Sequence, residues 1–437
     1  MERKKKDMRI LIQNGHVLDP LTGRDGICDV LIEDEKIADV KEHICAEADK
    51  TIDAEGCYLM PGFIDLHVHF RDPGLEYKET LTTGGRAAVR GGVTSVCAMP
   101  NTRPVTDTGV KVETVQKRAR KESLTNVYQL GSVTIGQEGK ELADIREMAG
   151  KGCVGISEDG KSVMNAALYR RGMKLAKGAG MVVFAHCEDI TMVEGGVMNA
   201  GSKAEELGLK GITNSVEDVI AARDILLAKE TGVKLHLCHC STEDSVKMIR
   251  AAKAEGLAVT GEVCPHHFTL TTDDITEDDG NFKMNPPIRS RADVDALIRG
   301  LQDGTMDVIS TDHAPHAAAE KNLSMKYAAF GIAGLETSAA LTYTELVDKG
   351  ILTPMQMAEK MSYNPARILG LTDKGSVSEG KTADIVIFDP NKEYRIDKET
   401  FFSKGKNTPF HGRKVKGDVV CTLVNGRVVY EGGQIVD

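Results

Sequence analysis

His67-Val68-His69 closes an apolar run that begins at Leu59. In an extended strand alternate side chains share a face, so the two imidazoles project together, two residue rises apart. Such a pair can hold a metal ion. Asp159, His186, His239 and Asp312 also fall where predicted strands end, giving a set of four histidines and two aspartates. Imidazole nitrogen and carboxylate oxygen suit zinc and similar divalent ions. A catalytic zinc needs about three protein ligands and an open position, so six candidates exceed what one ion requires. A two-metal site is predicted, with His67, His69 and Asp312 on one ion, His186 and His239 on the other, and Asp159 able to bridge them. A water between two such ions would be acidified towards a pKa of about 7.

These residues need a scaffold that brings strand ends together. Strand patterns run over Phe63–His69, Val93–Met99, Asn126–Val133, Cys153–Ser157, Met181–His186, Lys234–His239, Ala258–Val263 and Asp307–Thr311. Between most of them lie Ala/Lys/Glu/Arg-rich segments with helical spacing, such as Asp218–Lys229 and Ser245–Ala254. This alternation predicts an α/β fold, a parallel (β/α)8 TIM-type barrel, whose active sites lie at the carboxyl ends of the strands. All six candidate ligands fall there. Residues 8–60 and the end of the chain read instead as short strands broken by turns, with Asn425-Gly426 a hairpin signal between two β-branched runs. The expected division is a barrel over 61–367 and a small β-sandwich domain built from both termini, 1–60 and 368–437.

Other signals are weaker. Gly155-Ile156-Ser157-Glu158-Asp159-Gly160-Lys161-Ser162 fits the phosphate-loop pattern, yet adjacent carboxylates inside the cradle would repel phosphates and a barrel is the wrong context. Alternation places Cys238 and Cys240 opposite His239, so they make a poor ligand set with it. Cys264-Pro265-His266-His267 lies just past the seventh strand and reads mainly as packing. The net charge of -10 and an aromatic content of 4% with no Trp argue against nucleic acid. No run reaches the roughly 18 apolar residues of a membrane span. Met1–Asp7 reads as a frayed, solvated terminus with no secretory stretch behind it, and ten scattered cysteines suit reduced thiols in a cytoplasmic protein.

Near the ligands, Arg71 follows His69 by two residues, and its guanidinium fork suits a carboxylate. Asn101 and Asn285, each in a Pro-containing loop after a strand, add neutral donors and acceptors. Together they describe a small anionic substrate.

Asp65-Leu66-His67-Val68-His69-Phe70-Arg71-Asp72-Pro73-Gly74 and Ser310-Thr311-Asp312-His313-Ala314-Pro315-His316 resemble the two signature segments of the dihydroorotase family, in the amidohydrolase superfamily. The likeness continues through Ala98–Pro104, Lys283–Pro287 and Ser403–Phe410. It implies two zinc ions, held by His67 with His69 and by His186 with His239 and bridged by Asp159, and a general acid/base in Asp312. Substrate contacts map to His69, Arg71, Asn101, Asn285, His316 and the Phe330-Gly331 backbone. Many members of the wider superfamily bridge their metals with a carboxylated lysine on strand four, whereas Asp159 resembles the class I bacterial branch, in which aspartate takes that role; Lys161 stands two residues away. The implied reaction is reversible closure of N-carbamoyl-L-aspartate to dihydroorotate, in pyrimidine biosynthesis. Implied partners are that small substrate, a second copy in a homodimer, and aspartate transcarbamoylase. The rival readings are a hydantoinase or allantoinase, whose substrates lack the ring carboxylate, and a silent barrel serving as a transcarbamoylase scaffold. The segment Asp278–Pro287 is turn-rich and reads as a mobile loop.

Overall fold

Phe63–Val68 is buried at every position, as a parallel strand covered on both faces must be. The same holds for Val93–Ala98, Gly155–Ser157 and Val182–Ala185. In the computed structural model, which describes residues 8–436, these strands are part of a closed parallel barrel. Its first strand pairs with the second at Asp65 and Val96, and its second with Asn126–Gln129 at Cys97 and Tyr128. The order then runs through Gly155–Ser157, Val182–Ala185, Lys234–Leu237, Val259–Val263 and Val308–Ile309. A parallel bridge between Val68 and His313 and a hydrogen bond from Leu66 N–H to Ser310 Oγ (3.2 Å) join the eighth strand back to the first.

The sequence suggested one unbroken third strand, Asn126–Val133. The structure instead breaks it at Leu130 into Asn126–Gln129, which pairs with the second strand, and Gly131–Ser132, which pairs with the fourth. The first, fifth, sixth and eighth strands stop before their predicted ends and the fourth ends at Ser157 as expected, so His69, Asp159, His186, His239 and Asp312 stand on the first residues of the following loops. The helices between strands pack outside them. Ser215–Thr231 ends at Gly232, whose left-handed φ of 65° closes the helix, and Glu243–Ala254 is capped by Thr242, whose hydroxyl accepts from Ser245 N–H. Among the described residues no helix is long and apolar enough to cross a membrane.

The two ends of the chain meet in one nine-stranded sheet. Its junction is the antiparallel pairing of Tyr58–Pro61 with Ile385–Arg395, in register at Ile385 with Pro61 and Phe388 with Tyr58. Ile10, Ile12, Val30 and Ile32 from the amino end pack in one apolar cluster with Ile385, Ile387, Cys421 and Leu423 from the carboxyl end. The ladder thus folds two inner faces onto a shared core, as a sandwich does. The expected frayed terminus, Met1–Asp7, lies outside the described residues.

Asn425 and Gly426 turn the chain between Lys414–Val424 and Arg427–Glu431 with φ of 48° and 74°, the doubly positive geometry of a tight hairpin. A Cβ on Gly426 would come 1.8 Å from the Asp34 carbonyl oxygen. Gly426→Ala is therefore expected to destabilise the protein by about 1–3 kcal/mol, read as a lower midpoint in denaturant unfolding; an unchanged midpoint would show the turn is not constrained there.

Candidate metal centre

At the carboxyl end of the barrel His67, His69, Asp159, His186, His239 and Asp312 converge, each at most 7% exposed. Asp159 is central. Its Oδ1 lies 3.2 Å from His67 Nε2, 3.5 Å from His186 Nδ1 and 3.8 Å from His239 Nε2, while its Oδ2 lies 3.4 Å from His69 Nε2. Asp312 Oδ1 faces two of the same imidazoles, 3.1 Å from His69 Nε2 and 3.5 Å from His67 Nε2. Two ligand sets result, one around His67, His69 and Asp312 and one around Asp159 and His239, sharing His67.

The site fits a cation on two counts. His67 Nε2 and Asp159 Oδ1 are fully buried and have no hydrogen-bond partner, although they face each other. Left so, each would carry the cost of an unsatisfied buried polar atom. The proton affinities point the same way. Burial opposes it, but Asp159 pulls the His67 pKa well above the usual imidazole range, and Asp159 with Glu188 pulls His186 up to about 10. At His69 burial prevails and the pKa is lowered. Two buried carboxylates thus demand positive charge, which a divalent ion can supply in place of protons.

The imidazoles are held from behind. His67 Nδ1 lies 3.0 Å from Glu262 Oε1, and Glu262 Oε2 lies 3.0 Å from His236 Nε2, so His67 donates from Nδ1 and turns Nε2 to the site. Despite burial, those two imidazoles keep Glu262 ionised, well below the usual carboxylate range. His186 Nε2 rests 3.0 Å from Glu188 Oε2, whose other oxygen accepts from Asn285 Nδ2 at 2.9 Å. Glu188 and Glu262 escaped the sequence reading because a lone glutamate carries no spacing signal; Glu188 does stand two residues past His186.

Asp65 aligns the two halves of the site across the barrel seam. Its buried carboxylate accepts the backbone N–H of His67 (3.0 Å) and of Thr311 (3.2 Å), one on each side. Three site residues occupy left-handed backbone, Arg71 at φ 60°, His239 at 33° and Asp312 at 47°. Such strain persists where surrounding contacts over-determine it, and it clusters at functional sites.

Five of the six, all but the fully buried His67, line a cavity of about 170 Å³ whose wall also includes Arg71, Asn101, Asn285, Phe330 and Gly331. Asn101, expected to serve a substrate, is engaged within the protein: its Oδ1 lies 2.9 Å from His69 Nδ1 and its Nδ2 donates to Asp159 Oδ2 at 3.0 Å. His316 departs further from expectation, since it is absent from the cavity wall. The Lys78 ammonium donates to its Nδ1 (3.2 Å), which fixes the proton on Nε2, and that N–H donates to the Phe330 carbonyl (2.8 Å). Arg71 Nη2, 3.3 Å from the same Nε2, is therefore in contact but not hydrogen-bonded. Both ring nitrogens are occupied, and burial beside Arg71 and Lys78 lowers the His316 pKa to about 3.

Two residues the sequence reading gave no role organise this wall. Asn407 accepts the His316 N–H at 2.9 Å and donates to the carbonyls of Ala314 (3.1 Å) and Gly331 (3.0 Å). The buried Lys321 ammonium donates to the carbonyls of Lys283, Ala329 and Gly331 at 2.8–2.9 Å. Burial and Lys283 push its pKa down to about 7, while three carbonyl acceptors favour the form with three N–H groups. The stretch Asp278–Pro287, read as a mobile loop, is tied down here, with Gly280 N–H on the Leu323 carbonyl and Asp278 accepting from Met325 N–H. Lys161 is exposed and donates to the Gln137 carbonyl at 3.0 Å, so on this segment Asp159, and not Lys161, stands among the imidazoles. Glu158 is spent on the N–H groups of Val133 and Thr134, and no helix follows Ser162 directly, so the phosphate-loop pattern forms no cradle.

A barrel with a His/Asp cluster at its carboxyl mouth and a sheet from both termini defines a class. The sequence matches the amidohydrolase family over residues 58–429, and the chain belongs to that family. Within it the chain groups with the dihydroorotases: it is 50% identical to a dihydroorotase of Pelotomaculum thermopropionicum, covering 97% of this chain and 99% of that one. A dihydroorotase of Acetivibrio thermocellus is 46% identical, over 96% and 98% of the two chains. Among solved structures the L-hydantoinase of Arthrobacter aurescens superposes with a TM-score of 0.89 at 29% identity, over 98% and 97% of the chains. A D-hydantoinase of a Thermus species gives 0.86 at 26% identity, over 98% and 96%.

If Glu262 sets the His67 tautomer, Glu262→Gln should lower affinity for divalent metal by about 10–100-fold, measured by elemental analysis after competition with a chelator. Wild-type retention of metal in that variant would remove Glu262 from this role.

Proposed function

We propose that the chain catalyses the reversible closure of N-carbamoyl-L-aspartate to dihydroorotate, the reaction of its dihydroorotase relatives, as a step of pyrimidine biosynthesis. The observation that carries this reading is Arg71 on the wall of the same 170 Å³ cavity as the His/Asp cluster. A guanidinium there matches the carboxylate that a hydantoin ring lacks, although the hydantoinases share the fold.

The donor set suits two zinc ions, with His67, His69 and Asp312 on one side, His186 and His239 on the other, and Asp159 between. When bound, such ions polarise a carbonyl and make a water acidic enough to lose a proton near pH 7. The remaining work falls to the chain. Arg71 receives the substrate's carboxylate, with Asn285 and the Gly331 backbone beside it, and so fixes which carbonyl faces the cluster. His316 supports this by locking the Phe330 carbonyl next to Arg71, and it reaches a substrate only by giving up one of its present partners. Asp312 moves the proton. Its Oδ1 is turned to His69 and His67, and no hydrogen bond among the described residues reaches its Oδ2, which is left to take a proton from the attacking water and deliver it to the ring nitrogen on hydrolysis. On cyclisation the same oxygen carries the proton the other way.

Arg71→Ala should lose roughly 1.5–3 kcal/mol in kcat/KM for dihydroorotate with little change for a hydantoin; equal kinetics on dihydroorotate would take Arg71 out of substrate binding. Asp312→Asn should lower kcat by about 10²–10⁴ while circular dichroism and unfolding midpoint stay close to wild type. Turnover of hydantoin but not of dihydroorotate by the wild-type protein would overturn the proposal in favour of a hydantoinase.

A further inference from the structure

Cys264, His266 and His267 directly follow the seventh barrel strand, Val259–Val263, and none of the proposed chemistry uses them. Their exposures are 0%, 2% and 2%, and one donor atom from each lies within 4.8 Å of the others. The imidazoles pack at a centroid separation of 4.3 Å. Both carry an orphaned nitrogen: His266 Nε2 and His267 Nδ1 are buried without a hydrogen-bond partner. Among the described residues no hydrogen bond reaches Cys264 Sγ, and the Thr269 hydroxyl on the same short helix is unpartnered as well.

The tautomer of His267 is set from outside the trio. Its Nε2 lies 3.0 Å from the Pro286 carbonyl, an acceptor only, so the proton sits on Nε2 and Nδ1 presents a lone pair. A carbonyl behind an imidazole whose other nitrogen is left bare is the arrangement that orients a metal-bound histidine. No carboxylate is part of this trio, in contrast to the six-residue cluster, and a thiol replaces it. One sulfur and two imidazoles form a borderline donor set suited to zinc, with one position left for a water or a fourth side chain.

We propose that Cys264, His266 and His267 form a separate metal site that takes a zinc-class divalent cation and, through His267 and the Pro286 carbonyl, steadies the loop carrying Asn285. Binding would release the thiol proton to solvent and leave a metal–thiolate bond, with no change of oxidation state. The inference is independent of the activity proposed above, because it is read from sulfur coordination and not from turnover.

The test is the full chain loaded with cobalt(II) in place of its native metal. A thiolate-to-cobalt charge-transfer band in the near ultraviolet is expected, lost together with one metal equivalent in Cys264→Ser and kept in Cys238→Ser. The second variant is needed because Cys238 lies near His67 and Glu262. Zinc-edge X-ray absorption on the Cys238→Ser protein should show a sulfur neighbour at about 2.3 Å, a measurement that stands even if Cys264→Ser fails to fold. Absence of the band in the wild type, its loss in Cys238→Ser, its survival in Cys264→Ser, or a zinc shell of nitrogen and oxygen only would each overturn the proposal.

Discussion

Asp159 places a full negative charge where almost no water reaches it, and the architecture of the barrel mouth answers that charge. An isolated buried carboxylate would be prohibitively costly, so the fold surrounds it with four imidazoles and the Asn101 amide. Those imidazoles come from the first, fifth and sixth strands, so the compensation exists only when the barrel is closed. Asp65 secures the closure by accepting N–H groups from both sides of the seam. The left-handed backbone at His239 and Asp312 stands at the edge of this one desolvated charge.

The wall facing this cluster is built differently. The His/Asp side is lined by side chains at strand ends, whereas the opposite wall includes Phe330 and Gly331, whose carbonyls are held by His316 and Lys321. Asn407, in the connection between the last two long strands of the terminal sheet, fixes Ala314, His316 and Gly331 at once. Ser403, from the same segment, donates to buried Glu79, which also meets His313 beside Asp312. The terminal sheet is thus coupled to the barrel mouth through the segment that leaves and re-enters it. This division fits a family in which the dihydroorotase and hydantoinase relatives share a fold: the metal side serves amide chemistry in general, and the loop wall can change with the substrate.

Much was legible in the sequence because the signals were local. Alternation in His67-Val68-His69 needs only strand geometry, and eight apolar runs separated by helical spacing suffice for a barrel. Strand ends then locate the six His/Asp candidates, and Asn425-Gly426 reads directly as a hairpin because so few residue pairs tolerate two positive φ angles. The break at Leu130 was not legible, since it answers to two different neighbours and not to its own residue types.

What the sequence by itself determined was the inventory: which residues can ligate, on which strand ends, and that Arg71 stands two residues from a ligand. Only the tertiary structure decided how they are shared out. It turned Asn101 onto His69 and Asp159, placed His316 behind Arg71 with both nitrogens engaged, sent Lys161 to Gln137, and brought in Glu188, Glu262, Lys321 and Asn407. The reason is that a hydrogen bond is specified by a pair of atoms and their geometry. Spacing along a chain fixes the face on which a side chain lies, but its partner, as distant along the chain as Lys78 is from His316, is fixed only when the strands close.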